Sequence, residues 1–336
     1  MGVPIRPLLE GYRHPVGWEE LKGVAAIDAH NALYQFISII RQPDGTPLKD
    51  TEGRVTSHLS GILFRTAHFL EREIRPVYIY DGAPPDLKEK TISGRREVRE
   101  AGQANWEDAL RRGDTEAAYR AAMVSSRIDH AIIGSSQRLL DALGIPWMEA
   151  PSEGEAQSAA LIESGVATYS VSQDYDSLLF GASVLIRNLT VSGKRRIRGK
   201  QQTISPERIY LPELLNGLSM TREMLIDIAI LVGTDFNDGI YGIGPKKAEK
   251  IVREGRFDEV LREKDLAFDP DPVREFFLSP PINRDYRPDW RPPNPDAVRE
   301  MLIEEYGFSA DRISGVMDRI APSRSSSGQK SLDQWF

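Results

Sequence analysis

Seven carboxylates in this chain of 336 residues have the type and placing to do chemistry together: Asp28, Asp81, Glu153, Glu155, Asp174, Asp176 and Asp235. Each follows a short apolar run or opens a helical pattern. Asp28 ends Gly23-Val24-Ala25-Ala26-Ile27, Asp81 ends Val77-Tyr78-Ile79-Tyr80, and Asp174 and Asp176 follow Tyr169-Ser170-Val171. Glu153 and Glu155 follow Ala150-Pro151-Ser152, and Asp235 follows Ile230-Leu231-Val232-Gly233. If these points converge, they pool negative charge that only bound cations make tolerable. The donors are hard oxygens, none of the five His forms a recognisable ligand pair, and Cys is absent, so Mg²⁺ with Mn²⁺ as a substitute is expected rather than zinc. Seven charges exceed what one divalent ion balances. Two ions about 3.5–4 Å apart, working on a phosphodiester, is the chemistry this set implies.

Every position also has a local reading. Asp28 could cap the helix that follows it, Ser152-x-x-Glu155 fits a capping box, and Asp174 and Asp176 could sit in a turn. What favours a site is the recurrence of the same feature at element ends that one fold would bring together.

The elements that must position these residues alternate. Strands are expected near 24–27, 77–80, 167–171 and 184–186, and helices over 29–41, 57–72, 132–143 and 153–163. This is the pattern of an α/β fold, a central mostly parallel sheet covered by helices. In open sheets of this kind ligands bind beyond the carboxyl ends of the strands, where several of the acids fall. Residues 82–127 are highly charged and poor in large apolar side chains, so they are expected to be mobile or ordered by a ligand. From Met224 the pattern is helical, and the turn Gly242-Ile243-Gly244-Pro245-Lys246-Lys247 opens a helix through Val252. Backbone N–H groups at such a turn can approach a phosphate, although a plain helix cap would look the same. Residues 269–295, rich in Pro and Asp, are expected to run as irregular surface chain.

After Pro322 a Ser-rich linker leads to Gln329-Lys330-Ser331-Leu332-Asp333-Gln334-Trp335-Phe336. Two large aromatics at such a terminus have no core to enter, so they are either an aggregation hazard or anchors for a partner's pocket, and anchors are the favoured reading. The net charge is −7, yet basic residues cluster at Lys88–Arg99, at Lys194–Lys200 and at Lys246, Lys247 and Lys250. Setting the seven acids aside leaves the rest balanced, so an acidic sum does not exclude a nucleic-acid partner. Taken singly, each basic run could equally be a solvated face. The absence of Cys excludes thiol chemistry, and with no signal-like or membrane-spanning run a soluble, cytoplasmic protein is expected.

Five blocks, in order, resemble the signature regions of the flap endonucleases of the structure-specific 5′-nuclease family, with the archaeal type nearest. They are Ala25–Ala29, Pro76–Pro85, Ala150–Ala156, Ser172–Leu178, and Gly233-Thr234-Asp235 through Lys246. The resemblance covers nearly the whole chain and implies a PIN/5′-nuclease-like fold. It implies a nuclease domain over 1–321, in which 82–127 is a helical arch around a free 5′ strand and 224–255 a helix-hairpin-helix on duplex backbone. It assigns Asp28, Asp81, Glu153 and Glu155 to one Mg²⁺ and Asp174, Asp176 and Asp235 to a second. Lys88 and Arg95 match a catalytic basic pair on the first arch helix, and Tyr34 an aromatic that stacks beside the cut. Gly2, Gly242, Gly244, Lys246 and Lys247 fall at DNA-binding positions, and the hairpin of such enzymes can hold K⁺.

Arg54 and Thr56, with Phe308, Ser309 and Arg312, resemble a region that receives a one-nucleotide 3′ flap. In the tail 322–336, the peptide 329–336, through Gln329, Leu332, Trp335 and Phe336, looks like one that binds a PCNA-type sliding clamp. The activity implied is that of a monomeric flap endonuclease with 5′-3′ exonuclease action, serving Okazaki fragment maturation and base excision repair. The segment Pro4-Ile5-Arg6-Pro7 departs from the family pattern, and the lack of a basic extension past Phe336 favours an organism without a nucleus. Two other readings stay open, a silent junction-binding protein and a small-molecule phosphatase on a similar sheet.

Overall fold

The computed structural model describes residues 2–325 apart from 43, 125–126, 192, 198–199 and 264–268. Its strands are β1 (His14–Pro15), β2 (Gly23–Asp28), β3 (Ile74–Tyr80), β4 (Trp147–Glu149), β5 (Tyr169–Val171), β6 (Val184–Arg187), β7 (Gly193–Ile197), β8 (Lys200–Ile204) and β9 (Glu207–Tyr210). The first helices are α1 (Ala29–Ile39), α2 (Ser57–Leu70), α3 (Glu89–Arg111), α4 (Thr115–Val124), α5 (His130–Ala142), α6 (Gly154–Glu163) and α7 (Asp176–Leu179). The rest are α8 (Leu211–Gly217), α9 (Arg222–Val232), α10 (Pro245–Arg253), α11 (Phe257–Glu263), α12 (Asp271–Leu278), α13 (Pro295–Arg299) and α14 (Ala310–Ser325).

Seven strands form one sheet in the order β1-β9-β6-β5-β2-β3-β4. The five from β6 to β4 run parallel, while β9 and β1 close one edge antiparallel. The chain leaves the central strand β2 toward β3 and β4, then returns to its other side with β5 and β6. The change of direction between β2 and β5 is the switch point at which such sheets open a crevice. In β2 the small residues Ala25 and Ala26 are fully buried, which lets helices approach both faces.

One face is covered by α1, α2, α5 and α14, whose Leu33, Phe36, Leu59, Ile62, Leu63, Leu139 and Ile320 meet the sheet residues Ile27, Tyr78 and Tyr80. Both tyrosines keep a partner for the hydroxyl: Thr66 Oγ1 lies 3.2 Å from Tyr78 and Ser136 Oγ 2.6 Å from Tyr80. On the other face Leu161 of α6 packs with Ala26, Val77, Ile79 and Met148. A second large core joins the N-terminal Val3, Ile5 and Leu9 to the helices from α7 to α12.

Two segments depart from the sequence expectation. Within 269–295, residues Asp271–Leu278 form a helix rather than irregular chain, because a proline in the first turn is tolerated and Val273 and Phe277, four apart, share a buried face. The remainder of that segment does run irregularly along the β4 edge, where Trp290 Nε1 donates to the Pro76 carbonyl at 3.0 Å and Arg291 N to the Gly144 carbonyl at 3.0 Å. Of the basic run at 194–200, the described residues 194–197 and 200 belong to the separate β7 and β8 pair, antiparallel from Gly193 opposite Ile204. Within 82–127, α3 and α4 are helical and pack through alanines: Ala109, Ala118 and Ala122 are almost wholly buried. Helix α4 rests on α1, with Tyr34 Oη donating to the Met123 carbonyl at 3.2 Å.

Candidate metal centre and nucleic-acid surface

The carboxyl ends of the parallel strands bring the seven predicted acids together. Asp28, the last residue of β2, caps α1 by accepting from Asn31 N at 2.9 Å, while its other oxygen accepts from Ser172 Oγ at 3.0 Å. The cap reading therefore holds, at a residue that also stands among the other acids. Asp81 leaves β3 and accepts from Gly154 N at 2.7 Å. Its own N–H donates to His30 Nδ1 at 3.0 Å, so that nitrogen is an acceptor, and its 3.3 Å approach to Asp81 Oδ2 is a contact rather than an ion pair.

The capping box does not form. Helix α6 is entered through Glu153, which makes no side-chain cap bond, and Ser152 Oγ is buried without a partner. Glu153 and Glu155 are thus left to the site, and with Asp81 they place ligand oxygens within 4.8 Å of one another.

The other half comes from the loop after β5. Asp174 Oδ1 accepts from Gly2 N at 2.8 Å and Asp176 Oδ1 from Val3 N at 2.8 Å, so the N-terminal segment holds the pair with its backbone. Gly2 is needed for that approach, because a Cβ there would lie 2.6 Å from Asp174 Cβ. Asp235 enters from the loop after α9, where Thr91 Oγ1 donates to its carbonyl at 2.7 Å.

Burial and mutual repulsion show in the proton affinities. Burial, then the charges of Asp81 and Asp174, pushes Asp28 up to about 8. Burial, then Asp174 and Asp235, pushes Asp176 up to about 7. Glu155 is raised well above the usual carboxylate range by burial and by Asp28, Asp81, Asp176 and Glu153. Among the described residues the group of ligand atoms is made of carboxylates alone, and buried oxygens that repel one another suit hard divalent cations.

Lys88 stands inside this cluster. It lies at the entry to α3, just before the helix rather than on it, with Nζ 2.5 Å from Glu153 Oε2 and 3.5 Å from Asp235 Oδ2. Burial alone would lower its ammonium, but Glu153, Asp81 and Asp235 outweigh it and hold the group above its ordinary value. Arg95 belongs to α3, and its side chain lies outside the described residues.

Tyr34 is 40% exposed on α1, with its ring beside α4. The turn between α9 and α10 buries Ile243 and leaves Gly242, Gly244, Lys246 and Lys247 exposed. Gly242 has φ +79°, whereas neither backbone conformation nor packing demands glycine at 244, since φ is −95° and a Cβ would meet nothing within 4 Å. Arg54 is tied to Asp50 Oδ2 at 2.6 Å and the Glu305 carbonyl at 2.5 Å, with its guanidinium over the Tyr306 ring. This joins 54–58 to the segment preceding Phe308; Thr56 is buried behind it. Gln329, Leu332, Trp335 and Phe336 lie outside the described residues. No helix among the described residues is long and apolar enough to cross a membrane.

Sequence reasoning missed the neighbours that hold the carboxylates. Asn31, His30 and Ser172 touch them directly. Arg187, at the end of β6, donates to the Gln173 carbonyl at 3.0 Å and Tyr175 Oη at 2.5 Å, bracing the loop that carries Asp174 and Asp176. Of these only Ser172 falls within one of the five blocks, while His30 and Asn31 lie just past the end of the first.

Two family models match the chain, the XPG N-terminal domain over residues 2–102 and the XPG I-region over residues 144–235. Flap endonuclease 1 of Methanoculleus marisnigri is 55% identical over 336 residues, covering 100% of both chains. That of Pyrococcus furiosus is 46% identical over 340 residues, covering 100% of this chain and 99% of its own. Among solved structures, flap endonuclease-1 from Methanococcus jannaschii superposes with a TM-score of 0.76 at 35% identity, covering 95% of this chain and 99% of that one. Identity this high, sustained from one end of these relatives to the other, places the chain in the flap endonuclease 1 family.

Proposed function

We propose that this protein is a Mg²⁺-dependent, structure-specific nuclease that cuts DNA where a 5′ single strand leaves a duplex. The observation that carries the reading is the convergence of all seven carboxylates on the carboxyl edge of the sheet, with Lys88 among them. Asp28, Asp81, Glu153 and Glu155 would hold one Mg²⁺, and Asp174, Asp176 and Asp235 a second, with Mn²⁺ able to substitute. Such a pair, when bound, activates water and stabilises charge on the scissile phosphate.

The chain's own groups do the rest. Lys88, hydrogen-bonded to Glu153, is positioned to neutralise charge gathering on the phosphoryl oxygens, with Arg95 beyond it on α3. Tyr34 offers a face for the base beside the cut, and α3 and α4 form an arch for the free 5′ strand. The α9–α10 unit is read as a helix-hairpin-helix, in which Gly244, needed by neither backbone nor packing, leaves room for a phosphate. Lys246 and Lys247 supply positive potential there and the turn's carbonyls offer a K⁺ site. Arg54, Thr56 and the neighbouring 308–312 segment would receive a 3′ flap. A single nuclease unit over 1–321 acting as a monomer, exonuclease action, and service in Okazaki fragment maturation and base excision repair complete the reading, as does clamp binding by 329–336.

The test is an end-labelled double-flap DNA incubated with Mg²⁺. Cleavage at the junction, abolished by EDTA, is expected; binding without cutting would instead establish a silent junction protein. Adding a PCNA-type clamp should stimulate the full chain and not one lacking 329–336, and equal stimulation of both would refute the tail assignment.

A further inference from the structure

Asn31 touches both halves of the carboxylate cluster. Its backbone N–H donates to Asp28 Oδ1 at 2.9 Å, and its side-chain Nδ2 donates to Asp174 Oδ2 at 3.3 Å. The orientation of its amide is fixed by a donor that cannot be reversed. Gln173 N, a backbone N–H, faces Asn31 Oδ1 at 3.3 Å, so that atom must be the oxygen and the NH₂ must point at Asp174.

A buried relay is consistent with the same choice. Thr190 Oγ1 donates to Gln35 Oε1 at 2.8 Å, and Gln35 Nε2 donates to Asn31 Oδ1. Thr190 and Gln35 are themselves buried, at 4% and 9% exposure, and neither touches a carboxylate of the cluster. With Gly2 N on Oδ1 and Asn31 on Oδ2, both oxygens of Asp174 are held, so its orientation is set before any ligand arrives.

We infer that Asn31 is a positioning residue that couples the two halves of the site and, through Asp174, sets affinity for one of the two cations. This rests on the metal-site reading above. A partner of this kind acts by removing freedom from a ligand and tuning its basicity, and its loss typically weakens metal binding by a factor of ~10–100. A merely structural role for the Thr190–Gln35–Asn31 chain, satisfying buried polar groups, would leave cation affinity alone.

The experiment is calorimetric titration of the full-length, DNA-free protein with Mn²⁺. The wild type should bind two ions. Asn31→Ala should weaken one site by about tenfold and leave the other within about twofold. Thr190→Val, nearly isosteric and remote from the carboxylates, should weaken the same site by about threefold, a fraction of the direct effect. Asn31→Ala should add nothing to Asp174→Ala. Unchanged affinities, or equal weakening of both sites, would overturn the inference; if Asn31→Ala does not fold, Thr190→Val decides in the same way. A wild type that binds no Mn²⁺ would instead remove the metal reading itself, which separates the two failures.

Discussion

At the scale of single residues, the site depends on a side chain that is not there. Gly2 and Val3 each give a backbone N–H to the Asp174/Asp176 pair, and the 2.6 Å that a Cβ at position 2 would have to Asp174 Cβ leaves no room for one. The contact on that side is with the Asp174 carboxylate rather than with a flexible tip, so relief would move either the N-terminal segment or Asp174. Gly2→Ala is therefore expected to lower the single-turnover cleavage rate by about tenfold or more, in the range typical of displaced partners of metal ligands. Binding of the flap DNA in Ca²⁺, which does not require that alignment, should change by less than about twofold. Wild-type rates in rapid-quench measurements would show that the two N–H donors do not organise the pair. Lys88 obeys a different logic: it is buried among Glu153, Asp81 and Asp235, so its charge is matched locally and it adds no net positive field at long range.

At the scale of elements, the α2–α5 contact holds a second informative group. His58 on α2 is 1% exposed, with Nε2 2.7 Å from Ser135 Oγ and Nδ1 without a partner. Burial pushes its pKa down to about 4 from 6.5, and His68 on the same helix falls to about 4 through burial and the charges of Arg72 and Arg65. Between pH 6.5 and 4 the unfolded chain binds these protons and the folded chain does not. The stability they contribute above 6.5 is thus lost as pH falls through this window. His58→Leu should flatten the slope of unfolding free energy between pH 6 and 4.5 by up to ~1.4 kcal/mol per pH unit, one proton's worth, in urea titrations with EDTA. An unaltered slope would mean that His58 is protonated in the fold. The raised Asp28 and Asp176 act with the opposite sign but are common to both proteins, so the comparison removes them. What the sequence displays and hides at this scale follows the same physics. Strands β2, β3, β5 and β6 announce themselves as apolar runs because they are buried on both faces, and the acids that end them stand out for that reason. Strands β1, β4 and β9, two to four residues long, are strands only by virtue of their neighbours, and α12 sits in a Pro- and Asp-rich stretch whose composition argues for coil. Asn31 ends no apolar run, and Arg187, which does end Val184-Leu185-Ile186, carries the opposite charge to the acids that mark the pattern, so their roles arise only when α1 and β6 are brought to the loop after β5.

At the scale of the whole molecule, the problem is how a chain with 50 acidic and 43 basic residues holds a polyanion. The excess equals the seven carboxylates, and they are gathered at one place. On the proposed metal reading, that place repels phosphate without cations and attracts it once two divalent ions are bound. The sign of a charge-removing substitution should therefore depend on the metal. Asp81→Asn keeps the shape and an oxygen to accept from Gly154 N, which the carboxylate does at 2.7 Å, while deleting one negative charge from the group it forms with Glu153 and Glu155. In EDTA the substitution should tighten flap-DNA binding by roughly two- to fivefold, the size expected for one charge several ångströms from a phosphate in a largely hydrated cleft at ~0.1 M salt. In Mg²⁺ the same change should lower the cleavage rate by about a hundredfold, because a neutral amide is a poor substitute for a carboxylate ligand. Fluorescence anisotropy in EDTA and single-turnover cleavage in Mg²⁺ read the two effects on one preparation. Weaker binding in EDTA would mean that Asp81 faces away from the phosphate path. Unimpaired cleavage in Mg²⁺ would mean that it holds no ion, and the excess of negative charge would then need another account.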